Sequence, residues 1–415
     1  MEVMRQPPER SDHHVPALVL GGPSHTTLGV IRALAAAGIP QFTVGGRSSF
    51  VARSRWYRPP PAPLDEPHPG GLAKWLSASP FDRAVLVPCA DDWVADVAHL
   101  TRDLTLRFPA SIASADAVDT CLDKGRLADV LAHLGIPHPR TLRLGKGDDV
   151  LELSRALGDA FVKPRDSLRF RTRYGIKAFR VADTPDVVRR VRAAQEAGLG
   201  LLLQEFIPGP PTAHHLVDGF VDRDGRVCVW FARRRIRTHP EPFGDSSCMV
   251  TIRPDDARVP IAALARLLAS LEYRGVFSAE FKHDARDGAF KLIEINPRAW
   301  GGVSLPVRCG VNVIGMAYRD ALGLPVQAVD SYPVGRHWVY ATRDAAACWH
   351  LLRTGRLTAR EWIRSWAGAV QPVMTWNDPL PGVAEILQLM APAIRPWVDG
   401  RARAEPRVPS PGPPR

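Results

Sequence analysis

Two glutamates and an asparagine stand out in residues 276–302, VFSAEFKHDARDGAFKLIEINPRAWGG. Glu280 lies in one apolar run, and Glu294 and Asn296 sit two residues apart in the next. Side chains alternate along a strand, so Glu294 and Asn296 share a face while Ile293 and Ile295 turn toward a core. Between the runs, HDARDG has the Asp and Gly of a turn, and the segment reads as a hairpin. Folding it brings Glu280 beside Glu294 and Asn296, two carboxylates and an amide oxygen on one wall. Such a set suits Mg²⁺ (or Mn²⁺), hard cations that take oxygen ligands, Mg²⁺ often sharing them with nucleotide phosphates. Arg298, one step beyond, adds a fixed cation where phosphoryl charge would develop. An amphipathic hairpin with its polar face in water shows the same alternation, so the hairpin alone does not decide.

A chain of 415 residues has room for two or three domains around separate cores. Its 45% hydrophobic and 23% charged content is that of a globular protein, and no apolar run is long enough to span a bilayer. Residues 1–14 read as a disordered leader without the apolar stretch of a secretory signal, so a cytoplasmic location without membrane attachment is expected. Six scattered cysteines with no CxxC pair argue against a zinc knuckle or a disulfide framework. The net charge of +11 is spread along the chain with no basic stripe, and nucleic acid is not an expected partner. Only seven lysines stand among 47 arginines, which makes each lysine, a compact point charge, worth following.

Residues 15–20 read as a strand, followed by a turn with Gly21 and Gly22, a helix ending at Gly38 and a second strand over 39–44. That is a βαβ unit of an open α/β sheet, without the GxGxxG of a dinucleotide site. A further strand over 84–88 and a helix complete a first domain near residue 110. Residues 114–136 read as helical, with Lys124 inside, and FVKP is an apolar strand carrying Lys163. The loop 165–175 holds Arg165, Arg169, Arg171 and Arg173, and Thr184 caps a helix with Pro185 at its first position. LLLQEFIPG is a strand running into a turn, and a hairpin turns at Asp224 and Gly225. Arg233, Arg235 and Arg237 alternate, so they share a face, on which one of them could bind a substrate carboxylate bidentately or all could be solvated. Gly301, Gly302 and Ser304 open a helix whose N–H groups could bind an anion. The chain after that is mostly helical, and 401–415 reads as a disordered tail.

Taken in order, LDKGRLADVL with Lys124, FVKP with Lys163, LLLQEFIPG, FSAEF and LIEINPR resemble the ATP-grasp superfamily over about residues 15–325. The flavour resembles its carboxylate–amine ligase branch, including carbamoyl-phosphate-synthase-like ligases. The resemblance implies an α/β and α+β architecture. An N-terminal open α/β (pre-ATP-grasp, Rossmann-like) domain would span 15–110. A two-lobed ATP-grasp domain would cover 111–325, with lobes of about 111–202 and 203–325, and a mostly helical C-terminal extension 326–400.

The same resemblance implies ATP between the lobes, with Lys124 and Lys163 on its α- and β-phosphates. QEFI would meet the adenine: Gln204 or Glu205 facing the exocyclic amine, Phe206 and Ile207 giving backbone contacts and an apolar wall. Glu280, Glu294 and Asn296 would hold the metal, and Arg298 would stabilise the reacting groups beside Lys163. Arg235, Arg237, Gly301 and Gly302 would face the substrate. An acidic residue that often holds the ribose is missing; PGPPTAHH stands there, with His214 or His215 as substitutes. In place of a Gly-rich flap the loop carries four arginines and Gly175, and Lys177 is either a phosphate contact or the start of a strand. The implied activity is an ATP- and Mg-dependent, ADP-forming ligase that activates a small carboxylate as an acyl-phosphate and joins it to an amine. A small-molecule kinase and a non-catalytic nucleotide-binding homologue are the alternatives. A homodimer is compatible with all three.

Overall fold

The computed structural model describes residues 15–61, 67–165, 178–182, 186–241 and 244–398. β1 (Ala17–Leu20), β2 (Gln41–Val44) and β3 (Val85–Pro88) form a parallel sheet in the order β2-β1-β3. All four residues of β1, ALVL, are buried, as a central parallel strand covered on both faces requires. The turn after β1 ends at Ser24, whose hydroxyl accepts from the Thr27 N–H and caps the helix His25–Ala36.

β4 (Thr141–Leu144), β5 (Ala160–Pro164), β6 (Phe179–Arg180) and β7 (Leu201–Glu205) form a small antiparallel sheet in the order β4-β7-β5-β6. The large sheet takes β8 (His214–Val221), β9 (Val227–His239), β10 (Asp245–Thr251), β11 (Gly275–His283), β12 (Phe290–Asn296) and β13 (His337–Val339). Its order is β12-β11-β8-β9-β10-β13, antiparallel throughout.

Alternation along β11 explains the two faces of the large sheet. Phe277, Ala279 and Phe281 enter one core with the helices Ala115–Leu122, Lys124–His133 and Arg258–Ser270. Ser278, Glu280 and Lys282 point the other way. At one end of that second face, Phe220, Phe231 and Val276 pack in a core shared with Leu28 and Ile31 of the first domain and with Trp300 and Val303. The first domain therefore covers the apolar end and leaves the polar end as a wall.

Local features add to the expected elements. Residues 114–136 break into two helices at Asp123, which takes an extended backbone and accepts from the N–H groups of Gly125 and Arg126. That cap makes Lys124 the first residue of the second helix. Both helices pack on the large sheet, and the small sheet starts at β4, a strand the sequence did not announce. The segment after residue 325 is mostly helical, as expected (Ala341–Arg353, Ala359–Trp366 and Leu380–Val398), and also supplies β13 to the large sheet. It also returns to the first domain, where Asp378 accepts from Arg32 Nε at 3.0 Å, Ser54 Oγ at 2.7 Å and the Arg55 N–H at 2.9 Å. The expected leader and tail, Thr184, Pro185, Lys177, Gly175 and the loop residues Arg169, Arg171 and Arg173 lie outside the described residues. All six cysteines are buried and free of disulfides. No helix among the described residues is long and apolar enough to cross a membrane.

Asp344 ties the C-terminal segment down. It is fully buried and accepts from Arg237 Nε and Nη2 at 2.9 and 2.7 Å, from Ser247 Oγ at 2.8 Å and from Trp366 Nε1 at 2.7 Å. Asp344→Ala strands a buried guanidinium, and an expected loss of about 3–5 kcal/mol in unfolding free energy follows. Urea titration of the variant checks it; a loss below ~1 kcal/mol contradicts the role.

Candidate active site

The hairpin β11–β12 brings its acids together. Glu280 stands opposite Glu294 in the ladder and Ser278 opposite Asn296, so these side chains share one face. The register shifts between Glu280 and Phe281, which face Glu294 and Leu292 in turn. This bulge puts Leu292 and Ile295 in the core and leaves Ile293 only half-buried, a correction to simple alternation.

Glu280 is held from two sides. His214 Nδ1 lies 2.6 Å from its Oε1, and Arg235 Nη2 donates to its Oε2 at 2.9 Å. Burial pushes its pKa up, but Arg235 and His214 outweigh that and hold the carboxyl well below the usual range. Glu294 accepts from Asn296 Nδ2 at 3.4 Å, and Asn296 Oδ1 accepts from Arg298 Nη2 at 3.1 Å. Arg298 reaches back to the first domain, its Nε donating to Asp91 Oδ1 at 2.7 Å. Asp91 opens the helix Asp91–Ala98, just past β3, and nothing in the sequence marks it beyond that helix.

These donors fit a hard cation in kind. No group of three His, Cys, Asp or Glu side chains able to hold a metal occurs among the described residues. A cation here would rest on two carboxylates and one amide oxygen, with phosphate and water filling the remaining positions, the pattern Mg²⁺ favours. Each carboxylate oxygen has lone-pair capacity beyond one neighbouring nitrogen, so Arg235 and His214 do not exhaust Glu280.

The small sheet supplies the opposite wall. Lys163 on β5 is half-buried, and its Nζ donates to Gln204 Oε1 at 2.6 Å, while Gln204 Nε2 donates to Thr141 Oγ1 at 3.1 Å. Burial and the nearby Lys124 pull its pKa down to about 8, against the attraction of Glu294 and Glu280. Lys124, Lys163, Glu280 and Glu294 are thus electrostatic neighbours across the cleft. A phosphate-binding role predicts that ATP affinity falls severalfold as pH rises from about 7 to about 9, and that Lys163→Met removes this step. Calorimetric dissociation constants across that range check it; a flat profile in the native protein contradicts it.

The QEFI segment forms the hinge between the sheets, and its details correct the expectation. The Glu205 side chain is not open to a base: Oε1 accepts from Arg286 Nη2 at 2.7 Å and Oε2 from the Arg140 N–H at 3.1 Å. Arg286 and Lys291 also bind Asp284, so the HDARDG turn is bracketed to the hinge by charge. The Phe206 N–H is spent on Asp159 O at 2.8 Å. Its ring stays at the cleft, 5.3 Å from that of Phe161, and Ile207 is buried.

Arg237, Gly301 and Gly302 are not brought to this wall as substrate contacts. The β9–β10 register shifts between Arg235 and Arg237, and Arg237 turns into the Asp344 pocket. Arg233 is buried against Asp218, at 2.6 and 3.0 Å, leaving Arg235 as the arginine of that strand beside Glu280. The helix after Gly302 has only five residues, Ser304–Arg308, and Ser304 Oγ accepts from Trp338 Nε1. The two glycines serve close packing. A Cβ on Gly301 would lie 2.6 Å from His25 Nε2, and one on Gly302 would lie 3.2 Å from Arg233 Nη1.

Comparison with known proteins finds one matching family model and relatives that are ligases and synthases. A family model described as ATP-grasp in the biosynthetic pathway with Ter operon matches residues 200–340. D-aspartate ligase of Enterococcus faecium is 24% identical over 259 residues, covering 60% of this chain and 61% of that protein. The C-terminal section of the carbamoyl phosphate synthase large chain of Methanopyrus kandleri is 26% identical over 191 residues, 44% of this chain and 34% of the relative. This chain thus spans less than two thirds of either relative's length. Among solved structures, N5-carboxyaminoimidazole ribonucleotide synthetase from Thermus thermophilus superposes with a TM-score of 0.58 at 18% identity, over 78% of this chain and 82% of that one. Residues 200–340 thus match an ATP-grasp family model, and the small antiparallel sheet, the connecting QEFI segment and the acidic hairpin sit in a chain whose fold resembles that synthetase.

Proposed function

We propose that the protein is an ADP-forming carboxylate–amine ligase that uses ATP to activate a small carboxylic acid. The observation that carries this reading is the in-register pair Glu280 and Glu294, facing Lys163 across the cleft with Arg298 at its edge. The relationship to a D-aspartate ligase supports an amino acid or related acid as one substrate.

Glu280, Glu294 and Asn296 would hold Mg²⁺ (or Mn²⁺), which when bound neutralises charge on the phosphate oxygens. Lys163 and Lys124 orient the phosphates from the small-sheet side. The substrate carboxylate attacks the γ-phosphorus, the bond to the β–γ bridging oxygen breaks, and ADP leaves with that electron pair. Arg298 donates to the oxygens of the resulting acyl-phosphate. An amine then attacks the acyl carbon and inorganic phosphate departs, giving an amide. The amine loses one proton in that step. Electrostatic stabilisation of this kind is usually the largest single term in catalysis. Asp91 keeps the arginine extended toward the reacting groups. The buried, disulfide-free cysteines suit a reducing, cytoplasmic setting.

The test is ADP release against a panel of amino acids and small carboxylates, with and without amines, followed by mass spectrometry. ADP together with an amide mass supports the ligase. ADP with a phosphorylated acid and no amide, in the presence of every amine offered, identifies a kinase instead.

A further inference from the structure

β11 presents three polar side chains in a row on the cleft face: Ser278, Glu280 and Lys282. Ser278 accepts from Arg233 Nη2 at 3.3 Å, and Glu280 is shared by His214 and Arg235. Lys282 stands apart. The residue is only 8% exposed, yet its ammonium makes no hydrogen bond or ion pair among the described residues. Its neighbours are the Phe206 ring, with the centroid 5.4 Å from Nζ, and Gly209. At Gly209 φ is +125°, and an added Cβ would sit 3.8 Å from Lys282 Cε, so the Pro-Gly turn gives the lysine room. The Phe206 ring faces the ammonium without accepting a hydrogen bond from it, so its N–H donors are available to a ligand with acceptor oxygens.

Position along the strand says which part of a nucleotide that is. Two residues of strand span about 6.8 Å, so Lys282 lies one such step from Glu280 on the way to Phe206 at the hinge. A nucleoside triphosphate with its phosphates at Glu280 and its base at the hinge sets its sugar in that interval. No carboxylate occurs between Glu205 and Asp218, and Asp218 is itself closed off by Arg233. The sugar therefore meets a donor here, not an acid.

We propose that Lys282 Nζ hydrogen-bonds the ribose 2′-hydroxyl oxygen of the bound nucleotide and makes this cleft select ribonucleotides over 2′-deoxyribonucleotides. The assignment rests on the nucleotide-binding reading above.

Calorimetric dissociation constants for ATP and 2′-deoxy-ATP, on the full chain and on Lys282→Met and Lys282→Arg, test it. The native protein is expected to prefer ATP by about tenfold, the worth of one charged hydrogen bond. Lys282→Met is expected to weaken ATP by about that factor and to leave 2′-deoxy-ATP unchanged, while Lys282→Arg restores part of the preference. Equal weakening of both nucleotides, or no change in either, overturns the assignment. A native protein that binds neither nucleotide overturns the nucleotide reading itself, and this contact with it.

Discussion

Glu294→Ala is expected to reduce ATP turnover by at least about 10²-fold while leaving the fold intact. The choice of glutamate matters. Removing Glu280 would take a partner from both Arg235 and His214, and a loss of activity could then come from the disturbed wall around them. Among the described residues Glu294 makes one hydrogen bond, from the Asn296 amide at 3.4 Å, and no ion pair, so its removal breaks no direct charge contact there. Unfolding free energy should move by no more than about 0.5 kcal/mol, the usual range for such a site. ADP release and urea titration on the same preparation separate the two effects. Turnover that survives in a folded Glu294→Ala protein would falsify the role of the paired carboxylates.

Arg298→Ala is expected to lower kcat by about 10²–10³-fold, the effect of losing one well-placed donor to a developing anion. Arg298→Lys should recover only a small part of that. The guanidinium now spans Asp91 on one side and Asn296 on the other, donating through Nε and Nη2 at once. A lysine offers one ammonium at the end of a flexible stem and cannot hold both contacts in a fixed plane. The distinguishing readout is kcat at saturating ATP, since a loss confined to KM would place Arg298 in ground-state binding. Because Asp91 belongs to the first domain, the same arginine also joins that domain to the reaction wall.

The acidic hairpin was the most legible part of the chain because a strand's period of two fixes faces locally. Glu294 and Asn296 had to share a side, and the turn at HDARDG had to return Glu280 near them. What alternation could not supply was the bulge opposite Glu280, which moves Ile293 out of the core and brings Leu292 in. The same blindness to register explains Arg237. Its spacing from Arg233 and Arg235 is that of a shared face, yet one shift against β10 sends it to Asp344, 107 residues away in sequence. Asp123 was hidden for a different reason. An Asp inside a helical pattern is ordinary until its carboxylate is seen accepting the next helix's N–H groups. Residues defined only by distant partners, such as Asp91 and Glu205, carried no local signal. Lys282 looked like one more polar position on a half-exposed strand until its low exposure and its place beside the Phe206 ring, with no hydrogen bond or ion pair among the described residues, were visible together.

The central claim is that a carboxylate oxygen attacks the γ-phosphorus of ATP. The most direct measurement uses the acid identified by ADP release, labelled with ¹⁸O at both carboxylate oxygens, and follows the label by mass spectrometry. The account predicts that one ¹⁸O atom appears in the inorganic phosphate for each amide formed, with the other kept in the amide carbonyl. Unlabelled phosphate formed alongside the amide, or ADP formed with no transfer of label, would contradict it.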